Sequence, residues 1–181
     1  MSPRSRSLAS IIGATTYVLV LGAIAQFFIF PILHDQWIAT IVQVLFYVVL
    51  ALPFIFIEPK LLQLCRAPHR QLAVGLTLIT AATLFALVQN DFNSTLVANN
   101  LLRQSFTGPI EELIFRGYIW QRSLQYTDNL VVAAVLNIVA FGVVHVPFII
   151  AQQMNPLIMI AIAIIGFLLL LVRIKYKNVV L

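Results

Sequence analysis

The amino-acid sequence predicts an all-α, polytopic integral membrane protein, a helical bundle of about six transmembrane helices. Of the 181 residues, 61% are hydrophobic and 9% are charged, whereas soluble domains carry about 25% charged residues. The hydrophobic residues also form continuous runs of about 20 residues, the length that crosses a bilayer as a helix. The basic residues stand between these runs, as a topology signal does.

Six apolar runs define the predicted helices. Five of them contain no acidic or basic side chain apart from one histidine: Leu8–Leu33, Trp37–Ile57, Leu72–Val88, Leu130–Val146 and Phe148–Val172. The fourth run, Pro109–Leu124, contains two glutamates and an arginine near its start. The stretch before it, Asn93–Gln104, is too polar to span and is predicted to be a short interfacial helix or loop.

The start of the first run has a second interpretation. Arg4 and Arg6 precede it, and the sequence Ala23-Ile24-Ala25 resembles a signal-peptidase site. The apolar sequence continues through FFIFPIL beyond that site, however, which favours a retained membrane helix.

Loop charges predict the orientation. Alternate loops hold Asp35 and Asp91, and Arg103 is their one basic residue. Apart from Arg116 inside the fourth run, the remaining basic residues lie before the first run, near the end of the fourth, and after the second and sixth: Arg4, Arg6, Lys60, Arg66, Arg70, Arg122, Arg173, Lys175 and Lys177. The positive-inside rule therefore predicts that both termini are cytoplasmic.

The totals also exclude some classes of function. The net charge of +5 comes from residues spread between apolar runs, so no basic patch for nucleic acid is expected. The chain has one cysteine, Cys65, which excludes an internal disulfide and a multi-cysteine metal cage.

The charged fourth run, GPIEELIFRGYIW, is the first candidate site. Glu112 and Arg116 stand four apart, so on an α-helix they share a face and can pair. Glu111 is rotated by about 100° from Glu112 and stays available for chemistry. Pro109 suits a first helical turn capped by Thr107 or Gly108, where the helix dipole favours carboxylates. A carboxylate in this setting can act as a general base, although the charges could instead only hold helices together.

The fifth run, NIVAFGVVHVP, is the second candidate site. Asn137, Phe141 and His145 are spaced by four and therefore form one stripe along a helix. A lone buried histidine is more commonly a hydrogen-bonded core residue, and Asn137 is expected to bond a neighbouring helix. Together with Glu111, however, His145 could hold one water or a divalent metal such as zinc, and either would supply a hydrolytic nucleophile.

EELIFRG and FGVVH together resemble the CPBP family of intramembrane proteases, which includes CAAX prenyl proteases and bacteriocin-processing (Abi) proteins. Glu111, Glu112 and Arg116 match the family pattern E-E-x-x-x-R, while Phe141 and His145 match F-x-x-x-H. The resemblance implies that Glu111 activates water with help from His145, and that Glu112 and Arg116 form the supporting pair. It also implies a peptide or prenylated-peptide substrate at the lipid bilayer, in a bacterial inner membrane.

The resemblance covers residues 105–181, a partial protease core within a single membrane domain of residues 1–181. Residues 1–104 are then accessory helices. The family's third motif, H-x-x-x-N, is absent from the sequence, which ends in RIKYKNVVL. The chain could be a fragment or a relative without catalysis, or His34, His69 or another subunit could fill the gap. Since losing one oxyanion donor costs about 10²–10³ in rate, an impaired enzyme is expected.

Two other functions compete with the peptidase. A non-catalytic membrane protein on the same scaffold could act by binding, for example in bacteriocin immunity. A small proton or cation transporter could use Glu111, Glu112 and His145 as a relay. The acidic residues cluster in one run and the sequence shows no internal repeat, so the transporter ranks below the other two.

Overall fold

The structure, a computed structural model, describes residues 2–61 and 94–176. Every regular element in these ranges is helical, as the composition predicts. The predicted third span, Leu72–Val88, lies outside the described residues, as do His69, Cys65 and several loop charges: Arg66, Arg70, Asp91 and Lys177.

Six α-helices and three shorter helical segments make up the described chain. The α-helices are α1 (Pro3–Ile24), α2 (Gln36–Ile57), α3 (Ser94–Glu112), α4 (Trp120–Tyr126), α5 (Leu130–Ala151) and α6 (Ile158–Tyr176). A π-helix (Ala25–Ile29) and a 3-10 turn (Phe30–Ile32) extend α1, and a second π-helix (Leu113–Ile119) joins α3 to α4.

Short polar residues fix the starts of three helices. Ser2 caps α1 by accepting a hydrogen bond from the Ser5 amide, and Pro3 follows it in the first turn. Asp35 caps α2 by accepting from the Trp37 and Ile38 amides. Asn129 caps α5 in the same manner. Each cap satisfies amides that have no partner inside the helix, which adds about 1 kcal/mol.

The chain divides into two compact units. The first unit comprises Met1–Ile32 and Ile114–Lys177. In it, α1 packs on α4 and α5, and α5 packs on both α4 and α6. Trp120 of α4, Ala133 of α5 and Leu170 of α6 form a buried apolar cluster, so this unit has a core that joins three of its helices.

The second unit comprises Leu33–Leu113 and Asn178–Leu181. Its described helices, α2 and α3, pack against each other. The Thr40 hydroxyl donates to Oδ1 of Asn99 at 3.2 Å, and both side chains are buried. This polar contact places the Asn-rich stretch of α3 against α2.

The start of the charged run differs from the prediction. A helix beginning at Pro109 with a Thr107 or Gly108 cap is wrong, because α3 begins at Ser94 and Pro109 lies inside it. The polar stretch 93–104 is therefore mostly helix, and its contact with α2 helps to explain why. Glu111 and Glu112 end a 19-residue helix, so the stabilisation by a helix N-terminus expected for them does not apply.

The boundary between the fifth and sixth runs also differs. The sequence predicts a break at Pro147, but α5 continues through this proline to Ala151, and α6 begins only at Ile158. A proline inside a membrane helix is tolerated when neighbouring groups take up the freed carbonyl. The chain turns instead at the polar Gln152–Asn155 stretch, where Gln153 adopts a positive φ of 49°.

Four described helical stretches are long and apolar enough to cross a membrane: Pro3–Ile32, Gln36–Ile57, Leu130–Ala151 and Ile158–Lys175. They correspond to the first, second, fifth and sixth predicted runs. The fourth run is helical but is not one of these four. The count of six spans and the cytoplasmic placement of both termini stay predictions, as does the single domain of residues 1–181.

Candidate active site

The two glutamates lie in the second unit, at the end of α3. Both side chains are half-buried. The hydroxyl of Tyr47, from the middle of α2, donates a hydrogen bond to Oε1 of Glu111 at 3.4 Å. Glu111 therefore has a neutral donor within its own unit, and a phenol in this position orients the carboxylate without neutralising it.

The backbone changes pitch directly after the glutamates. Residues Leu113–Ile119 form a π-helix, and every side chain in it is buried. Such segments are rare and are frequent at functional sites. The predicted common face of Glu112 and Arg116 requires an α-helical pitch between them, and the π-helical segment has a different pitch. The predicted Glu112–Arg116 pairing stays a prediction.

Arg116 lies in the interior of the first unit. Its side chain is 0% exposed. One terminal nitrogen donates to the carbonyl oxygen of Gly166 at 3.1 Å, and the guanidinium carbon lies 4.2 Å from the centre of the Phe141 ring. A cation held against an aromatic face away from water is favourable by about 2 kcal/mol. Arg116 thus connects the π-helix to both α5 and α6.

The predicted stripe of α5 is present. Asn137 is fully buried and donates its amide to the carbonyl oxygen of Phe115 at 2.6 Å, which is the expected bond to a neighbouring helix. Phe141 contacts the Phe115 ring edge-on, with ring centroids 5.1 Å apart. The stripe therefore faces the π-helix.

His145 lies one turn beyond Phe141 and is half-buried. Its ring is tilted against Phe141, with centroids 4.6 Å apart, and Nδ1 lies 2.6 Å from the Phe141 carbonyl oxygen. Because a carbonyl only accepts, this contact assigns the proton of the neutral imidazole to Nδ1. Nε2 then carries the lone pair that a base or a metal ligand needs.

The structure thus brings four of the six predicted site residues together in the first unit: Arg116, Asn137, Phe141 and His145. Glu111 and Glu112 belong to the second unit. That Glu111 and His145 act on one water stays a prediction.

A divalent metal fits the described residues poorly. Catalytic zinc takes three protein ligands, and within 2–61 and 94–176 no three His, Cys, Asp or Glu side chains form a group that could hold an ion. The predicted donors, Glu111 and His145, number only two.

Three residues that contact predicted site residues within their own units were not predicted from the sequence: Tyr47, Gly166 and Arg173. A hydroxyl in an otherwise apolar run, as at Tyr47, needs a partner when it is buried, and this signal could have drawn attention to it. Gly166 and Arg173 gave no comparable signal, because one appeared as a small residue in an apolar run and the other as a topology charge.

Comparison with known proteins identifies the C-terminal half of the chain. Residues 93–181 match the family described as Rce1-like, type II CAAX prenyl endopeptidase. No curated protein and no solved structure matches the chain. The matched segment includes both quoted motifs, with Glu111, Glu112, Arg116, Phe141 and His145. This match supports a CPBP-family intramembrane protease, the family that EELIFRG and FGVVH resemble.

Proposed function

We propose that this protein is an intramembrane endopeptidase that hydrolyses a peptide bond of a prenylated peptide at the bilayer. The observation that carries the proposal is the family match over residues 93–181, which contains both motifs. Four helices of membrane-spanning length among the described residues support the location. The substrate class follows from the family's description as a prenyl endopeptidase.

Glu111 acts as the general base in the proposed reaction. Its carboxylate takes a proton from water while the water oxygen forms a bond to the scissile carbonyl carbon. The carbon–nitrogen bond then breaks, and Glu111 returns the proton to the leaving amine. Tyr47 supports this role by holding one carboxylate oxygen through its hydroxyl, which fixes the orientation of the carboxylate.

His145 assists through Nε2. With Nδ1 bonded to the Phe141 carbonyl, the other ring nitrogen is free to accept a hydrogen bond from the attacking water. Phe141 contacts both the His145 ring and the guanidinium of the buried Arg116. The arginine and the phenylalanine therefore hold the imidazole plane, which matters because a misplacement of about 1 Å can cost roughly 100-fold in rate.

The setting of the reaction is a further part of the proposal. We place the protein in a bacterial inner membrane with both termini in the cytoplasm, in accordance with the distribution of its basic residues. A prenyl chain would lie among the lipid tails, and the scissile bond would reach the site near the bilayer surface.

The test uses purified protein in lipid nanodiscs and an internally quenched peptide with a prenylated C-a-a-X end. Glu111→Gln and His145→Gln should each lower kcat, the former by about 10²–10⁴-fold as expected for loss of a general base. Glu58→Gln is the matched control outside the two motifs, and it should retain the wild-type rate.

Other outcomes would favour the competing functions. A wild-type protein that cleaves no prenylated peptide but binds one with micromolar affinity would refute hydrolysis and support a binding protein on the same scaffold. Proton flux into liposomes that Glu111→Gln abolishes would support an ion relay instead.

A further inference from the structure

Helix α6 presents one stripe of residues to the π-helix and α4. Gly166, Leu170 and Arg173 stand at i, i+4 and i+7, and therefore lie on one face of the helix. The Gly166 carbonyl accepts from Arg116, Leu170 joins the buried cluster with Trp120 and Ala133, and Nε of Arg173 donates to the Arg116 carbonyl at 3.2 Å. The stripe thus holds Arg116 by its side chain and by its backbone.

The bond from Arg173 has a physical reason. A carbonyl oxygen has two lone pairs and can accept from a side chain in addition to a backbone amide. In an apolar environment a buried donor such as the Arg173 guanidinium needs an acceptor of this kind from a neighbouring helix. The carbonyls of Phe115 and Arg116 receive donors from Asn137 and Arg173 respectively, and these two bonds hold the π-helical segment from both sides.

The orientation of Arg173 differs from that of a topology charge. A lysine or arginine that only marks the cytoplasmic side extends its charged end into water. Lys175, two residues later, is exposed. Arg173 is half-buried, and its NH1 is shielded from solvent without a hydrogen-bond partner among the described residues. The guanidinium therefore points inward.

We propose that Arg173 is a positioning residue for His145, acting through Arg116 and Phe141. Arg173 fixes the backbone of Arg116, and the Arg116 guanidinium lies against the Phe141 ring at 4.2 Å. Phe141 in turn contacts the imidazole through its ring and through its carbonyl oxygen. All four residues belong to the first unit. The catalytic consequence rests on the peptidase function proposed above, whereas the structural consequence does not.

The structural test is ¹⁵N NMR of histidine-labelled protein in nanodiscs. The chain has three histidines, so a His145→Gln spectrum assigns the His145 signals. In the wild-type protein, the His145 signals should show Nδ1 protonated and Nε2 unprotonated. Arg173→Gln should shift these signals and mix in the other tautomer, whereas Lys175→Gln, which removes one charge from the same helix end, should leave them unchanged.

Arg173→Lys separates position from charge and is the variant of choice if the glutamine variant fails to fold. Lysine keeps the positive charge for membrane insertion but has a methylene group where arginine has Nε, so His145 should still shift. Wild-type His145 signals in folded Arg173→Lys or Arg173→Gln protein would overturn the proposal.

Kinetics supply the second readout. Arg173→Lys should lower kcat by roughly 10- to 100-fold with KM nearly unchanged, because the change misplaces a catalytic group and leaves the substrate contacts in place. If wild type cleaves no prenylated peptide, the proposed function fails, but the NMR comparison still decides the role of Arg173. A wild-type kcat in Arg173→Lys, from an active enzyme, would refute the catalytic part alone.

Discussion

Replacing Arg116 with alanine tests how much the buried cation contributes to stability. The substitution removes a fully buried guanidinium that bonds the Gly166 carbonyl at 3.1 Å and lies 4.2 Å from the Phe141 ring centre. It leaves a buried carbonyl oxygen without this donor and an aromatic face without its cation. Arg122→Ala is the matched control, since Arg122 is half-buried, bonds Gln125 at 2.8 Å and lies 5.1 Å from the Tyr118 ring centre.

The magnitude follows from these contacts. A hydrogen bond from a charged donor contributes about 1.5–3 kcal/mol, and a desolvated cation–π contact contributes about 2 kcal/mol. The two share one side chain and are not independent, so we expect Arg116→Ala to lower the free energy of unfolding by about 3 kcal/mol. A loss nearer 5 kcal/mol would be expected if Glu112 also pairs with Arg116, since a stranded buried charge is costly. The more exposed contacts of Arg122 should contribute about 0.5–1 kcal/mol.

The assay is reversible unfolding by SDS in mixed micelles, followed by circular dichroism. The difference of about 2 kcal/mol between the two variants corresponds to roughly 30-fold in the unfolding equilibrium constant. Arg116→Met, which keeps most of the side-chain volume, shows how much of the loss comes from charge and hydrogen bonding and how much from packing. Equal unfolding midpoints for Arg116→Ala and Arg122→Ala would refute the conclusion that Arg116 stabilises the first unit.

Two further predictions concern packing and orientation. A Cβ at Gly166 would lie 2.9 Å from Cδ1 of Phe141, so Gly166→Ala should destabilise by about 1–3 kcal/mol. Gly142→Ala is the control, because its new Cβ would have Met159 Cε at 3.6 Å as its nearest contact, and it should be neutral or stabilise by about 0.5–1 kcal/mol. Equal changes in the SDS unfolding free energy of Gly166→Ala and Gly142→Ala would contradict the close packing of Phe141 on α6. In a Cys65→Ser background, His34→Cys should react with a membrane-impermeant maleimide in intact cells and Ser2→Cys only after lysis, whereas the reverse pattern would invert the predicted topology.

Local composition is sufficient to predict the class of the protein. Four of the predicted apolar runs correspond to the four helical stretches that are long and apolar enough to span a membrane among the described residues. They can be predicted because the length and hydrophobicity of a span are properties of the segment itself. The residue types and spacing of EELIFRG and FGVVH are likewise local, and the family match includes both. The alignment of Asn137, Phe141 and His145 on one face needs only the period of the helix.

The helix boundaries wrongly predicted at Pro109 and Pro147 have a common cause, which is contact between helices that are distant in the chain. The predicted break at Pro109 neglects the packing of α3 on α2, where Thr40 meets Asn99 across 59 positions. The predicted break at Pro147 applies a rule for isolated helices to one that packs on α1, α4 and α6.

The amino-acid sequence by itself determined the membrane class, the helical content and the two motifs. The tertiary structure alone decided the π-helical pitch after Glu112, the hydrogen-bond acceptors of Arg116 and Asn137, and the contacts of Tyr47 and Arg173. Arg116 meets Gly166 across 50 positions, and Arg173 meets the Arg116 carbonyl across 57. No local pattern encodes such pairs, because a donor buried in an apolar bundle bonds the acceptor that packing places beside it.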